Sequence, residues 1–566
     1  MSSHRPPPSS RSRTLLYGLA MLLAVVVYFF GLDSQHIPKN GDENVYAHIT
    51  RLTAASGHWL PLQSELNAMR NTKPPLLFWQ GMASTGQGQD WTLWNLRYPN
   101  VIYTLLTAAM VFLLGWRLSQ NFSRGAVAAL AFLAFFSTYR YGRPFLTNAP
   151  ETFWLFLPFF ILLYCKQWAF ASRWLPSVLG LIIGIGLLYK SFALLLPVGV
   201  GLCWWYLQQR DYRLGDFIRT DVPKLLLVAV ISLAMFGLWF VLDPDPQSVW
   251  QEFVMKENAG KFDPAGASYL SKLLWGSSSV WTMFLGLPIN AGLLALPVAV
   301  LMFDALRHRK QLSDDEKLLW LWLLAMILVF SLPSQRSSRY LLAAMPALAV
   351  LCALGWERLH RGWFIATLLV CATALALLVW LSLQLQAAVP GGALYSPPYW
   401  LLLLAAAAFL LAAMLLPALT RPGTTVAVLL VFLSAAAFLR PFDGERGNFS
   451  AEAQLQVAGK PVWVPYDFNA KFEAYRFLLP TADIQGYRET RDTKADELAR
   501  HYALFAVRLP LGTAAGAPCS GCRVIAERLD LRGRHSSAEL NEILHGRVFE
   551  NIFQKELLVE SAVAAR

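Results

Sequence analysis

The composition of the chain is that of a membrane protein. The sequence has 566 residues, of which 56% are hydrophobic and 15% carry a charged side chain. Soluble proteins carry about 25% charged residues, so these proportions exclude a soluble enzyme, and the high apolar content excludes a disordered chain. The net charge of +12 has an ordinary source in a membrane protein, because cytoplasmic loops collect Lys and Arg. No zinc-ligand spacing or basic repeat indicates a nucleic-acid partner.

Hydropathy predicts thirteen membrane-spanning segments, because about 20 apolar residues in a helix cross a bilayer core. Residues 1–13 are rich in Pro, Ser and Arg, and we expect them to be disordered and cytoplasmic. No small-residue cleavage site follows the first apolar run, which favours an uncleaved span over a signal peptide. The predicted spans are residues 14–32, 98–116, 125–138, 149–165, 176–189, 192–207, 223–242, 281–303, 318–333, 340–356, 364–387, 399–419 and 424–439.

The alternation of spans places two long segments, 33–97 and 243–280, outside, together with the tail from residue 441. Residues 14–440 are therefore predicted as the membrane domain and 441–566 as a small outer α/β domain. In the tail, the strand-like runs PVWVPY, YALFAVRL and RVIAERLDL alternate with helical patterns such as NAKFEAYRFLL and AELNEILHGRVFENIF. An oxidising compartment favours a disulfide between Cys519 and Cys522, and a metal site is disfavoured because a second Cys pair is lacking.

The first outer segment opens with an amphipathic pattern. Val45, Ile49 and Leu52 recur at helical spacing, which predicts a helix lying on the membrane surface. Asp42 and Glu43 fall at its N-terminal end, where acidic residues suit the helix dipole. A carboxylate in this position is also able to take a proton from an acceptor at the outer face. Both interpretations stay open at this point.

Cationic residues recur on the same predicted side. Lys190 lies between two apolar stretches with almost no loop around it, where a charge is costly unless it is paired or functional. Taken singly, each cation fits snorkelling to lipid phosphate or pairing with Glu151 or Glu257. Taken as a set, they favour a site for an anionic group, and the set is Lys73, Arg140, Arg143, Lys190, Lys256, Lys261, Arg336 and Arg339.

A carboxylate beside a cation cluster fits one reaction well. In that reaction an acceptor attacks a sugar carried on a lipid phosphate, cations stabilise the departing phosphate, and the carboxylate orients or deprotonates the acceptor. No nucleotide-binding glycine motif is present, which agrees with a site outside the cytoplasm. A transporter or flippase for an anionic lipid is the competing hypothesis. It predicts ionisable residues deep within several spans, and the spans carry little charge.

At these residues the sequence resembles the polyprenyl-phosphate-dependent glycosyltransferases of the protein O-mannosyltransferase superfamily, the C-type membrane glycosyltransferases. Within them it is most similar to the bacterial lipid A aminoarabinose transferase branch. The motifs are DENVYAHITRLTAASGHWLP, KPPLLFW, LRYPNVIYTLL, ENAGKF and RYLLAAMPALA. The resemblance implies an all-α polytopic membrane protein with about 13 transmembrane helices and interfacial helices in the first periplasmic loop. It also implies a small periplasmic α/β domain, and an active site facing the periplasm from the bacterial inner membrane.

The resemblance also implies roles for individual residues. Asp42 matches the catalytic aspartate, Lys73 the lysine of the KPP motif, and Lys190 the lysine that contacts the carrier phosphate. The predicted substrate-binding residues are Glu43, Tyr46, Lys73, Arg143, Lys190, Lys261, Arg339 and Tyr340. The chain departs from the branch twice, with Thr72 where a Glu usually precedes KPP and Asn148 where an Asp is usual.

The implied activity is inverting transfer of a sugar from undecaprenyl phosphate to an envelope acceptor, with lipid A or lipopolysaccharide as the first candidate. Membrane lipids are expected partners, and no nucleic acid is. No cofactor is expected to be required. A divalent cation remains open, although no metal ligands are predicted. Transfer to protein hydroxyls by the same fold is the alternative acceptor hypothesis.

Overall fold

Each predicted span coincides with a helix. The computed structural model describes residues 10–36, 41–66, 69–261, 269–275, 279–389, 394–466, 470–489, 494–511, 518–532 and 535–562. The helices at the predicted spans are Ser10–Phe29, Leu93–Ser119, Phe122–Ala134, Asn148–Tyr164, Leu175–Tyr189, Phe192–Gln209, Val222–Leu242, Gly286–Arg307, Asp314–Ser331, Ser338–Gly355, Arg361–Ala388, Pro397–Leu415 and Pro417–Leu439. Shorter helices connect them.

Within the described ranges, eight helices are long and apolar enough to cross a membrane, and three shorter helices are apolar. The two other helices at predicted spans, Asn148–Tyr164 and Asp314–Ser331, carry acidic residues in their first turns. The chain is therefore a mostly helical, multi-pass membrane protein, and the total of thirteen crossings stays a prediction.

Exposure separates inner from outer helices of the bundle. Val222–Leu242 leaves Leu226 and Val230 more than half exposed, as expected of a helix that faces lipid. Most of Ser338–Gly355 is buried, and its residues Ala343, Ala347 and Ala353 allow close approach of neighbouring helices.

The first outer segment contains the predicted amphipathic helix, at Gly41–Ala55, which we call the Asp42 helix. A second helix, Leu76–Ser84, follows the KPP motif. The hydrophobic pattern alone predicted that the apolar face of the Asp42 helix lies on the membrane surface. In the structure this face packs against protein instead. Its residues Val45 and Ile49 are buried in one hydrophobic core with Val462 and Val464 of the C-terminal sheet.

The C-terminal segment forms a mixed five-stranded sheet. Its strands are β1 (Pro461–Tyr466), β2 (Asp483–Arg488), β3 (Leu504–Pro510), β4 (Cys522–Leu531) and β5 (Phe553–Ser561). The strand order is β2-β1-β3-β5-β4, with β1 parallel to both of its neighbours and β5 antiparallel to β3 and β4. The sequence predicted β1, β3 and β4. Cys519 and Cys522 are joined by a disulfide where β4 begins.

Candidate active site

A cavity of about 560 Å³ lies between the Asp42 helix and the ends of several bundle helices. Six of the nine predicted catalytic and binding residues line it, although they come from segments far apart in the chain. The six are Asp42, Tyr46, Lys73, Lys190, Arg339 and Tyr340. The cavity wall also includes Thr72, Thr147, Glu257 and Asn258.

Asp42 is the half-exposed carboxylate of this cavity. Its side chain is 48% exposed, and its Oδ2 lies 2.6 Å from a terminal nitrogen of Arg339. Arg339 is itself oriented by Asn148, whose Oδ1 accepts from Nε at 3.0 Å and from the second terminal nitrogen at 2.8 Å. The guanidinium lies 4.9 Å from the centre of the Tyr141 ring. The carboxylate is therefore oriented by a fixed cation while staying open to the cavity.

The two lysines of the cavity also face carboxylates. Lys190 Nζ lies 2.7 Å from Glu151 Oε2 and 5.5 Å from the centre of the Tyr340 ring. Lys73 Nζ lies 2.5 Å from Glu257 Oε1 and donates to the carbonyl of Thr72 at 2.8 Å. The pairing that the sequence offered as an alternative is therefore present. Both ammonium groups are therefore held in place at the cavity wall.

Tyr46 is one helical turn from Asp42 and reaches the same cavity. Burial, and then the negative charge of Asp42, raise the pKa of the Tyr46 hydroxyl well above its ordinary value. The hydroxyl therefore stays protonated at neutral pH, so it remains a hydrogen-bond donor toward a substrate oxygen.

Glu43 lies beside the cavity and does not line it. Its two carboxylate oxygens accept from Nε and a terminal nitrogen of Arg97, both at 2.7 Å, and Oε1 also accepts from the backbone N–H of Phe145 at 2.7 Å. Arg97 in turn donates to the carbonyls of Leu32 and Ser34. Both charged side chains are almost fully buried. The structure therefore places Glu43 in an ion pair that joins the Asp42 helix to the membrane helices.

Arg143 is also placed outside the cavity wall. It is fully buried, and its Nε donates to the carbonyl of Tyr28 at 3.0 Å. A terminal nitrogen donates to the carbonyl of Phe30, so Arg143 satisfies carbonyls at the C-terminal end of the first helix. Lys261 ends a short helical turn, Ala259–Lys261, and its side chain lies outside the described residues.

Arg97 is the residue of this region that the sequence analysis missed. It lies only four residues beyond the start of a long apolar helix and is almost fully buried there. A charge in such a helix requires a partner, and this requirement was the signal that could have identified Arg97.

The two departures from the aminoarabinose transferase branch both lie at the site. Thr72 lines the cavity, and Asn148 accepts hydrogen bonds from Arg339. Across the part of the chain that the structure describes, no group of three or more His, Cys, Asp and Glu side chains forms a metal site.

An apolar groove adjoins the cavity. It has a volume of about 800 Å³, and Ala193 and Val329 belong to the walls of both. The other walls of the groove are apolar side chains of membrane helices, including Leu196, Trp204 and Leu332. The charged cavity thus lies next to a surface suited to a hydrocarbon chain.

Comparison with known proteins assigns the class. Residues 39–245 match the family described as dolichyl-phosphate-mannose-protein mannosyltransferase. The chain is similar to undecaprenyl phosphate-alpha-4-amino-4-deoxy-L-arabinose arabinosyl transferase 1 of Sodalis glossinidius, with 27% identity over 409 residues, 69% of this chain and 68% of the relative. Transferase 2 of the same name from Pseudomonas fluorescens is 27% identical over 348 residues, 59% of each chain. The chain therefore spans between about three fifths and two thirds of these relatives.

Solved structures share the fold. The structure of ArnT from Cupriavidus metallidurans bound to undecaprenyl phosphate superimposes with a TM-score of 0.60, covering 97% of this chain and 98% of that chain at 17% identity. The apo form gives a TM-score of 0.59 at 18% identity, covering 89% and 94%. The fold and the site define a membrane glycosyltransferase. Its similarity to the dolichyl-phosphate-mannose-protein mannosyltransferase family covers residues 39–245, less than half of the chain.

Proposed function

We propose that this protein transfers a sugar from an undecaprenyl-phosphate carrier to an envelope acceptor, lipid A or lipopolysaccharide, at the periplasmic face of the bacterial inner membrane. One observation carries the proposal. A single cavity contains a half-exposed carboxylate and three cations, and an apolar groove adjoins it. The named relatives are aminoarabinose transferases, which supports aminoarabinose as the first sugar to test.

The cations supply the donor site of the proposed reaction. Lys73, Lys190 and Arg339 present positive charge where a carrier phosphate enters, and the groove accepts its polyprenyl chain. Charge-assisted hydrogen bonds to phosphate are about twice as strong as neutral ones. The same cations stabilise the negative charge that grows on the carrier phosphate as it departs. Because these side chains provide that charge, we propose a reaction that requires no cofactor.

Asp42 acts on the acceptor. An acceptor oxygen forms a bond to the anomeric carbon of the sugar while the bond from that carbon to the carrier phosphate oxygen breaks. The bonding electron pair leaves with the carrier phosphate, and Asp42 takes the acceptor's proton when the acceptor is protonated. Attack opposite the leaving group inverts the anomeric configuration. Arg339 holds the Asp42 carboxylate in place for this step.

Mass spectrometry of lipid A from cells with and without the gene tests the proposal, together with transfer from the lipid-linked sugar in proteoliposomes of the full chain. The expected result is one added sugar on lipid A, present only with the gene and reproduced by the purified protein. Transfer of the labelled sugar to protein would favour the alternative in which protein hydroxyls are the acceptor. Movement of the labelled lipid across the membrane without any product would contradict a transferase.

A further inference from the structure

The C-terminal segment contacts the Asp42 helix through one buried carboxylate. Glu473 lies in a helical turn, Lys471–Ala474, that follows β1, and its side chain is fully buried. Its Oε1 accepts from Nε of Arg51 at 2.7 Å, and its Oε2 accepts from a terminal nitrogen of the same side chain at 3.2 Å. His48 Nδ1 lies 3.1 Å from Oε2. Both His48 and Arg51 belong to the Asp42 helix.

The imidazole of His48 is fixed from two sides. Its Nε2 accepts from the backbone N–H of Glu65 at 3.1 Å, so in the neutral ring Nδ1 carries the hydrogen and donates it to Glu473. Arg476 adds a further positive charge 3.5 Å from Oε2. A buried carboxylate with cations and a donor on several sides is confined to one position, because each displacement costs a strong hydrogen bond.

Apolar packing joins the same two parts. The His48 ring meets Phe472 edge to face, with ring centres 5.2 Å apart. Val45 and Ile49 share a hydrophobic core with Val462 of β1. The Asp42 helix is therefore part of the core of the C-terminal sheet as well as part of the cavity wall.

The geometry of the helix relates this contact to the carboxylate. Asp42 and His48 are six residues apart, which in an α-helix is about 9 Å along the axis and about 120° around it. One side of the helix therefore faces the cavity while another faces Glu473. At its N-terminal end the Glu43–Arg97 pair fixes one point of the helix. The Glu473 contact, through His48 and Arg51, adds a polar attachment further along the helix.

We propose that Glu473 is a positioning residue, through which the C-terminal domain sets the direction and rotation of the Asp42 helix so that Asp42 meets Arg339 in the cavity. This inference rests on the proposed function, since it concerns where the Asp42 carboxylate is held during transfer. It gives the C-terminal domain a role in catalysis that does not require the domain to touch either substrate.

The expected signature is a fall in kcat without a change in the KM of the lipid-linked donor. The three cations of the proposed donor site, Lys73, Lys190 and Arg339, all lie outside the Asp42 helix, so the charges that bind the carrier phosphate remain when the helix shifts. Misplacement of a catalytic group by about 1 Å costs on the order of 100-fold in rate. We therefore expect Glu473→Gln to lower kcat about 10- to 100-fold. Arg51, which pairs with Glu473, is partly exposed. We therefore expect Arg51→Gln to lower kcat as well and to disturb folding less than Glu473→Gln does.

A matched control is available in the same sheet. Glu560 on β5 pairs with Arg523 on β4, and both side chains are partly exposed. Glu560→Gln removes one carboxylate from the domain as Glu473→Gln does, and it is expected to leave kcat unchanged. The kinetics of each full-length variant are measured in proteoliposomes on the folded fraction, alongside its thermal midpoint.

The outcomes separate this inference from the proposed function. If Asp42→Asn abolishes transfer while Glu473→Gln and Arg51→Gln keep the wild-type kcat, the positioning role is wrong and the proposed function stands. A raised donor KM at constant kcat would equally overturn the positioning role. If Asp42→Asn keeps wild-type turnover, the proposed function itself fails. The inference is supported when Glu473→Gln or Arg51→Gln lowers kcat alone and Glu560→Gln does not.

Discussion

Glu43 and Asp42 are neighbours in the sequence, yet the structure predicts opposite consequences when each is made neutral. Glu43 is buried and accepts two hydrogen bonds from Arg97 at 2.7 Å, whereas Asp42 is half exposed on the cavity wall. Removing one partner of a buried ion pair costs about 3–5 kcal/mol, because the other charge is left uncompensated. In the Glu43→Gln variant Arg97 still donates to the carbonyls of Leu32 and Ser34. We therefore expect this variant to lose about 3 kcal/mol of unfolding free energy, at the lower end of that range.

Thermal unfolding in detergent measures this difference. The entropy of unfolding grows with chain length, at about 2 cal/mol/K per residue, so in this chain of 566 residues we expect Glu43→Gln to lower the midpoint by about 2–3 °C. Asp42→Asn is the matched control and should unfold within about a degree of wild type. The combined change Glu43→Gln with Arg97→Met should recover part of the loss, since no buried charge is then unpaired.

A Glu43→Gln variant that unfolds at the wild-type temperature while losing transfer would refute this reasoning. Glu43 would then act on the substrate, as the sequence alone predicted. The same conclusion would follow if adding Arg97→Met made the protein much less stable than either single variant.

Three further predictions concern the donor site and the C-terminal domain. Lys190→Met should raise the KM of the lipid-linked donor at least tenfold, because a hydrogen bond to a charged group contributes about 1.5–3 kcal/mol; an unchanged KM would remove Lys190 from the phosphate site. Burial alone raises the pKa of Glu473, but the hydrogen bond from His48 and the charge of Arg51 outweigh it and hold the pKa below the ordinary value of 4.5. The ionised Glu473 therefore stabilises the fold fully above pH 4.5, and this stabilisation is lost as the pH falls through the lowered pKa. The difference in thermal midpoint between wild type and Glu473→Gln should be constant down to about pH 5 and should become smaller below it. A difference in thermal midpoint that becomes larger as the pH falls would contradict a lowered pKa for Glu473. Replacing Cys519 and Cys522 by Ser should cost about 2 kcal/mol of unfolding free energy, because the disulfide closes a short loop, with kcat unchanged; loss of transfer would assign the pair a catalytic role.

The helices were predictable because apolar length is a local property of the sequence. Each predicted span coincides with a helix, with ends within a few residues except where helices such as Pro417–Leu439 extend further. The tail was less predictable. The run AELNEILHGRVFENIF indicated one helical pattern, but Gly546 has φ +94° and separates Ser537–Leu544 from Val548–Ile552. The pattern also hid the start of β5, which follows directly.

Most residues of the candidate site were predictable from the sequence, but the ion pairs that they form were not. Lys190 was found because a charge between apolar spans is costly and therefore conspicuous. Asp42 was found at the start of an amphipathic pattern, and Arg339 as one of a set of cations on the same predicted side. Which carboxylate each cation meets depends on contacts between distant segments, such as Lys73 with Glu257, 184 residues away. The amphipathic pattern of the Asp42 helix shows that one face is buried but does not distinguish lipid from a protein core.

Turnover of Asp42→Asn is the most direct test of the central claim, that this carboxylate faces a cation-lined phosphate site and acts on the acceptor. The assay uses purified protein in proteoliposomes with the lipid-linked sugar and lipid A, and it compares variants of equal thermal midpoint. Loss of a positioned general base costs about 10²- to 10⁴-fold, so we predict a fall in kcat of that size with the donor KM unchanged. Wild-type turnover by Asp42→Asn would contradict the account.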